Sequence, residues 1–220
     1  MIKAVLFDLD GTLVNSLEDL ASCTNNALIK FGFPKRETEE FKYFAGNGMS
    51  VMIERALPKG SKSEENINKV LEAFLENYGE HFADKTYAYE GVPELVAELK
   101  GRGIKLAVIT NKAQNSAECV VKKNYGDLFD IILGKTEKYP SKPNPDGALA
   151  VMKEFEVLPE ECIFIGDSLV DMQTGVNSKA LPVGVLWGFR TAEELRDNGA
   201  EYIISEPEEL FRIIGEKNGA

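Results

Sequence analysis

Histidine and tryptophan occur once each, as His81 and Trp187, and cysteine only three times, as Cys23, Cys119 and Cys162. With no CxxC pair and no second histidine, the chain offers neither a thiolate zinc site nor a disulfide framework, and a reduced cytoplasmic setting is expected. His81 has no histidine partner and is assigned no role. No apolar run approaches the roughly 20 residues of a membrane span. Met1-Ile2-Lys3 leads straight into an apolar strand rather than a cleavable leader, so a soluble protein without membrane partners is expected. Basic residues are also short: 25 Lys and Arg face 36 Asp and Glu, a formal charge of −11. That balance excludes nucleic acid as a partner, because backbone binding needs a concentrated basic surface. A small anionic ligand stays open, since a local cation outweighs distant, screened charges.

What the chain does have is apolar content: 44% of its 220 residues, enough for one large domain or a main domain with an insertion. The first apolar run, Ile2 to Leu9, stops at Asp8-Leu9-Asp10-Gly11. At a strand end the chain is already turning, so Asp8 and Asp10 can converge just beyond a sheet, and Gly11 permits that turn. Two neighbouring carboxylates repel unless a cation offsets them, which points to a divalent metal site with one member left to carry protons.

From Asn15 to about His81 the pattern is helical throughout, with a cap at Asn15 or Ser16 and a long helix from Ser63 to His81. After Gly91 strands and helices alternate: strands at Leu106 to Thr110, Ile131 to Leu133, Ile163 to Gly166, Val183 to Leu186 and Tyr202 to Ile204, each followed by a helix. Buried strands alternating with helices predict an α/β fold, a Rossmann-like parallel sheet covered on both faces. The expected division is a core of residues 1–14 and 85–220 with an inserted all-helical domain of residues 15–84. Gly215 to Ala220 is expected to fray beyond the last helix.

Three later segments set reactive side chains after apolar runs: Thr110-Asn111-Lys112, Lys142-Pro143, and Gly166-Asp167-Ser168 with Asp171. With Asp8-Leu9-Asp10-Gly11-Thr12 they resemble, in order, the four motifs of the haloacid dehalogenase superfamily. The opening Phe7 to Leu20, FDLDGTLVNSLEDL, is similar to its phosphoglycolate phosphatase branch. The resemblance runs from Met1 to near Ile214. It implies strand order 5-4-1-2-3 in the core sheet, a helical cap over the site, and a Mg²⁺-dependent phosphomonoesterase acting on a small phosphorylated metabolite. A monomer or weak homodimer is expected. Related phosphatases project a glycine-flanked loop from the cap, which makes Asn47, between Gly46 and Gly48, a candidate substrate contact, with Lys42 and Arg55 further candidates.

The chemistry then divides among named residues. Asp8 is the expected nucleophile and, through its other oxygen, a metal ligand; Asp10 is the general acid and base and lends its backbone carbonyl to the metal; Asp167 completes the ligand set. Thr110, Asn111 through its backbone N–H, and Lys142 hold the phosphoryl oxygens. Asp171, one helical turn after Asp167, binds a metal water or orients Lys142. Competing readings are a beta-phosphoglucomutase-like phosphosugar mutase, which needs a cap histidine lacking soon after the catalytic pair here, and a pyrophosphatase or nucleotidase. A 2-haloacid dehalogenase would lack Asp10, a receiver domain would lack the helical insertion, and a noncatalytic binding protein on this fold would have lost Asp8 or Asp10.

Overall fold

The computed structural model describes residues 1–219. The chain divides into two compact units, Met1–Val14 with Ala88 onward, and Asn15–Tyr87.

The larger unit is built on six parallel strands. They are β1 (Ala4–Phe7), β4 (Lys105–Ala113), β5 (Ile131–Lys135), β6 (Cys162–Gly166), β7 (Leu181–Val185) and β8 (Tyr202–Ile204), ordered β5-β4-β1-β6-β7-β8. Counted along the sheet from β7 to β5, this is the 5-4-1-2-3 order, with β8 added outside the fifth strand. Between the strands run α5 (Val92–Gly101), α6 (Gln114–Tyr125), α7 (Asp146–Glu154), α8 (Leu169–Ser178) and α9 (Ala192–Asp197), and α10 (Glu209–Asn218) follows the last of them. Every residue of β1, β6 and β7 is buried, as strands covered on both faces must be. Alternation then assigns the faces. Ala4 and Leu6, Ala107 and Ile109, and Cys162 and Phe164 share a cluster with Ala148, Val151 and Met152 of α7. The alternate residue Phe7 meets Phe129 edge-on at 5.8 Å between ring centroids, and Phe129 meets Tyr125 at 5.5 Å. Each such large side chain contributes about 1.5–3 kcal/mol by leaving water.

Two ends differ from expectation for identifiable reasons. The last helix does not stop before Gly215 but runs through it to Asn218, and Gly219 takes the left-handed conformation that ends it. Ala220 lies outside the described residues. Strand β4 runs three residues past Thr110, with a register shift against β5 between Ile109 and Ala113.

The smaller unit holds α1 (Leu17–Lys30), a 3₁₀ turn at Thr38–Glu40, α2 (Phe41–Phe44), α3 (Met49–Ala56) and α4 (Glu64–His81). Ser63 caps α4 by accepting the Asn66 N–H at 3.2 Å. Inside the unit Phe74 stacks on Tyr78 at 4.9 Å, and Phe41 and Ile53 are fully buried. Asp19 of α1, itself buried, accepts the Lys85 N–H at 3.1 Å and the Thr86 hydroxyl at 2.7 Å, tying the returning chain to the first helix. The two passages between units, β2 (Val14–Asn15) and β3 (Tyr87–Ala88), pair as a short two-stranded sheet.

Candidate active site

Register places the reactive groups. Phe7 stands level with Val108 on one side and Ile165 on the other, so β1, β4 and β6 deliver Asp8, Thr110 and Asp167 to the same carboxyl edge. This edge flanks the point where chain order reverses across β1, the place where open parallel sheets bind ligands. Beyond β1 the chain folds back at once: Leu9 O accepts the N–H groups of Leu13 and Val14 at 3.0 Å, and Gly11 sits at φ 92°. A Cβ on Gly11 would also overlap the Asp167 carboxylate, so glycine is required there twice over.

Lys142 is the hub. Its Nζ lies 2.6 Å from Asp8 Oδ1 and 2.6 Å from Asp171 Oδ1. Asp171 gives its other oxygen to the Ser168 hydroxyl at 2.6 Å and the Ser168 N–H at 3.0 Å, which also caps α8. Both Asp171 oxygens are thus in hydrogen bonds, one to Lys142 and the other to Ser168. Asp167 accepts the Phe189 N–H at 2.8 Å through one oxygen and the Thr12 hydroxyl at 3.3 Å through the other. Thr110 Oγ1 accepts the Lys112 backbone N–H at 3.2 Å, which leaves its own hydrogen for a ligand oxygen. Asn111 uses its side chain on the backbone of Lys142, accepting its N–H at 2.8 Å and donating to its carbonyl at 3.2 Å. Neither Thr110 nor Asn111 caps α6, whose N-cap is Ala113.

Several contributors carry no clear signal in the sequence. Lys112 was visible only as part of a segment, yet its ammonium lies 3.0 and 3.2 Å from the two oxygens of Asp10. Trp187 donates its indole N–H to Thr12 O at 3.0 Å, linking the loop after β7 to the loop after β1. Gly188 lies against Asp167 and the Gly11 carbonyl so closely that a Cβ would overlap both. A short Trp-Gly-Phe after a strand looks like any turn, and only the sheet order shows that it meets β1's loop.

The electrostatics fit a divalent cation. Asp8, Asp167 and Asp171 can bring one oxygen each within 4.8 Å of one another, all of them hard ligands. Four acids, Asp8, Asp10, Asp167 and Asp171, face two lysines, Lys112 and Lys142, with Arg190 also acting on Asp167. Burial first, then the Asp171 charge, pushes Asp8 up to about 7 against the pull of Lys142. Burial and the charges of Asp171 and Asp8 likewise raise Asp167 well above the usual carboxylate range. Burial alone would lower Lys142, but Asp171 and Asp8 raise it above the ordinary lysine value, so it stays an ammonium. A divalent cation held among these oxygens would return Asp8 to its ionised form.

In the helical unit, Asn47 Oδ1 accepts from Arg55 Nη2 at 2.9 Å, while Arg55 Nη1 donates to Tyr43 O and Phe44 O at 3.0 and 3.1 Å. Lys42 pairs with Glu39 at 2.7 Å. Arg55 therefore braces the glycine-flanked loop from within.

A parallel sheet that gathers acids and two buried lysines beyond the carboxyl ends of its central strands has the form of an α/β enzyme site. Residues 5–185 match the model of the haloacid dehalogenase-like hydrolases, and the chain belongs to that family. It is 32% identical to the phosphoglycolate phosphatase of Haemophilus influenzae over 96% of this chain and 98% of that one. Among solved structures it resembles a Lactobacillus delbrueckii protein assigned to the phosphoglycolate phosphatases, at TM-score 0.91 and 31% identity over 96% and 98% of the two chains. A beta-phosphoglucomutase from Clostridium difficile matches at TM-score 0.78 and 25% identity, over 100% and 98%. The chain is an enzyme of the phosphatase kind, and no described helix is long and apolar enough to cross a membrane.

Proposed function

We propose that the protein is a Mg²⁺-dependent phosphomonoesterase that works through an aspartyl-phosphate on Asp8, with phosphoglycolate or a comparably small phosphorylated metabolite as substrate. The observation that carries the reading is the ammonium of Lys142 held at 2.6 Å from Asp8 by an Asp171 that is itself locked by Ser168. Such a cation brings a phosphate dianion to a carboxylate that would otherwise repel it.

Asp8 attacks phosphorus and forms a P–O bond, while the bond to the leaving oxygen breaks and Asp10 supplies that oxygen's proton. Water then attacks the same phosphorus, gives its proton to Asp10, and the bond to Asp8 breaks to free phosphate. The Thr110 hydroxyl, the Asn111 N–H and the Lys142 ammonium hold the phosphoryl oxygens throughout. Asp8, Asp167 and the Asp10 carbonyl would hold Mg²⁺, which neutralises charge on the transferring group. Burial pushes the Cys23 thiol up to about 11 and Cys162 up to about 12, which keeps both protonated and unreactive.

The likeness to a beta-phosphoglucomutase favours one second reading, in which the phosphoryl group returns to a sugar rather than passing to water. Phosphate release from phosphoglycolate, glucose 1-phosphate, sugar 6-phosphates, nucleoside monophosphates and pyrophosphate, with and without Mg²⁺ and beside Asp8→Asn, decides between them. Mg²⁺-dependent release that vanishes in the variant supports the phosphatase. Isomerisation of glucose 1-phosphate without release supports the mutase.

A further inference from the structure

We propose that Lys112 is a positioning residue for proton transfer: by gripping both carboxylate oxygens of Asp10 it fixes the direction in which that carboxyl faces the leaving oxygen. The inference rests on the reading of Asp10 as general acid and base.

The two distances, 3.0 and 3.2 Å, put the ammonium almost on the bisector of the carboxylate. The terminal torsion of an aspartate is soft, so an unheld carboxyl swings over a broad range. A cation shared between both oxygens removes that swing at the one torsion that aims them. Lys112 is suited to hold rather than to bind substrate, because its side chain is 1% exposed whereas that of Asp10 is 20% exposed. The acid reaches the solvent side and the lysine stays behind it.

The backbone explains how a lysine comes to lie there. Thr110 and Lys112 are two apart on β4, both are buried, and the half-buried Asn111 falls between them. The bond from the Lys112 N–H to Thr110 Oγ1 joins the two into one rigid piece. One side chain of the pair serves the phosphoryl group and the other serves the acid, so both aims are set by the same turn of strand. An error of about 1 Å at an acid costs on the order of 10² in rate.

Lys112→Met keeps the bulk and removes the grip, and Asp10 can then turn in water. The test compares wild type, Lys112→Met, Lys112→Arg, Asp10→Asn and Asp8→Asn, all with Mg²⁺, on two substrates. One is an alkyl phosphate, whose alkoxide needs a proton to leave; the other is p-nitrophenyl phosphate, whose phenolate leaves unaided, followed as the nitrophenolate burst. The expected result for Lys112→Met is a kcat loss of about 10² on the alkyl phosphate, with KM and the burst rate within about threefold of wild type and part of the loss recovered by Lys112→Arg. Equal losses on both substrates, or no loss, overturn the proposal. A crystal structure of Lys112→Met supplies a reading independent of turnover: Asp10 rotated or in two positions supports the role, and Asp10 unmoved overturns it. Should Lys112→Met fail to fold, Lys112→Gln is judged by the same outcomes. A wild type that acts on neither substrate removes the phosphatase reading itself, whereas an active wild type with an unaffected Lys112→Met removes only the positioning role.

Discussion

Asn111 and Lys142 hold each other through a closed pair of hydrogen bonds: the side-chain amide of the first accepts the N–H of the second at 2.8 Å and donates to its carbonyl at 3.2 Å. The loop that carries Lys142 is thereby tied to the end of β4, the strand that also supplies Thr110.

Asn111→Ala cuts that tie and leaves buried backbone groups without partners, at about 1–3 kcal/mol. A mobile Lys142 weakens phosphate binding, so kcat/KM should fall by about ten- to a hundredfold, with KM rising more than kcat falls. Steady-state kinetics on the best substrate checks it, and an unchanged KM would refute the tie's importance.

Gly188→Ala forces a methyl group into Asp167 and the Gly11 carbonyl. Both neighbours belong to the site rather than to flexible surface, so the overlap must displace Asp167 or the loop after β1. Activity should fall by at least about tenfold and urea stability by about 1–3 kcal/mol, the cost of overpacking. The Mg²⁺ concentration for half-maximal activity should rise in the same variant, which distinguishes ligand displacement from simple destabilisation.

Asp19→Ala acts within the helical unit, on a buried residue of α1. It strips acceptors from the Lys85 N–H and the Thr86 hydroxyl in the helical unit. The loss should be about 2–3 kcal/mol, read as a lower urea midpoint. Turnover by the folded fraction should be little changed at low temperature.

Asp130 sets a pH dependence. Burial pushes its carboxyl up, but the Leu106 N–H and the Lys100 ammonium more than offset this and hold it below the usual carboxylate value of 3.8. A depressed folded-state value means the unfolded chain takes up the proton first. The stabilisation is therefore fully present above about pH 4 and is lost as pH falls through the folded value. Asp130→Asn should lower Tm at about pH 7 and lose that deficit near about pH 2. A deficit of equal size at both pH values would show that packing, not charge, is responsible.

Much of this was legible before any coordinates. Helix α8 begins at Leu169 and ends at Ser178 as its sequence suggests, because Ser168 and Asp171 form a reciprocal cap that leaves little choice of start. Strand type was clear because β1, β6 and β7 are apolar at every position and only a doubly covered parallel sheet accepts that. Gly215 misled because glycine reads as a stop, while the stop is set by Gly219, the residue whose φ turns positive. Lys112 was hidden for a different reason: a lysine at a strand end normally reaches water, and its buried bond to Asp10 spans 102 positions. No local pattern encodes a partner that distant. The hold of Trp187 on the loop after β1, and of the Phe189 N–H on Asp167, was out of reach for the same cause.

The central place of β1 has a cost in time. Its partners β4 and β6 lie about 100 and 160 residues further along the chain, and it has no sheet neighbour nearer than these. During synthesis the apolar strand that precedes Asp8 must wait for about half of the chain before β4 can pair with one edge, and for about three quarters before β6 can pair with the other. Premature assembly is correspondingly barred: the cluster of acids gains its Asp167 and Asp171 only when β6 docks. The site cannot assemble before β6 docks, so a chain truncated before β6 should be an aggregation hazard rather than a weak enzyme.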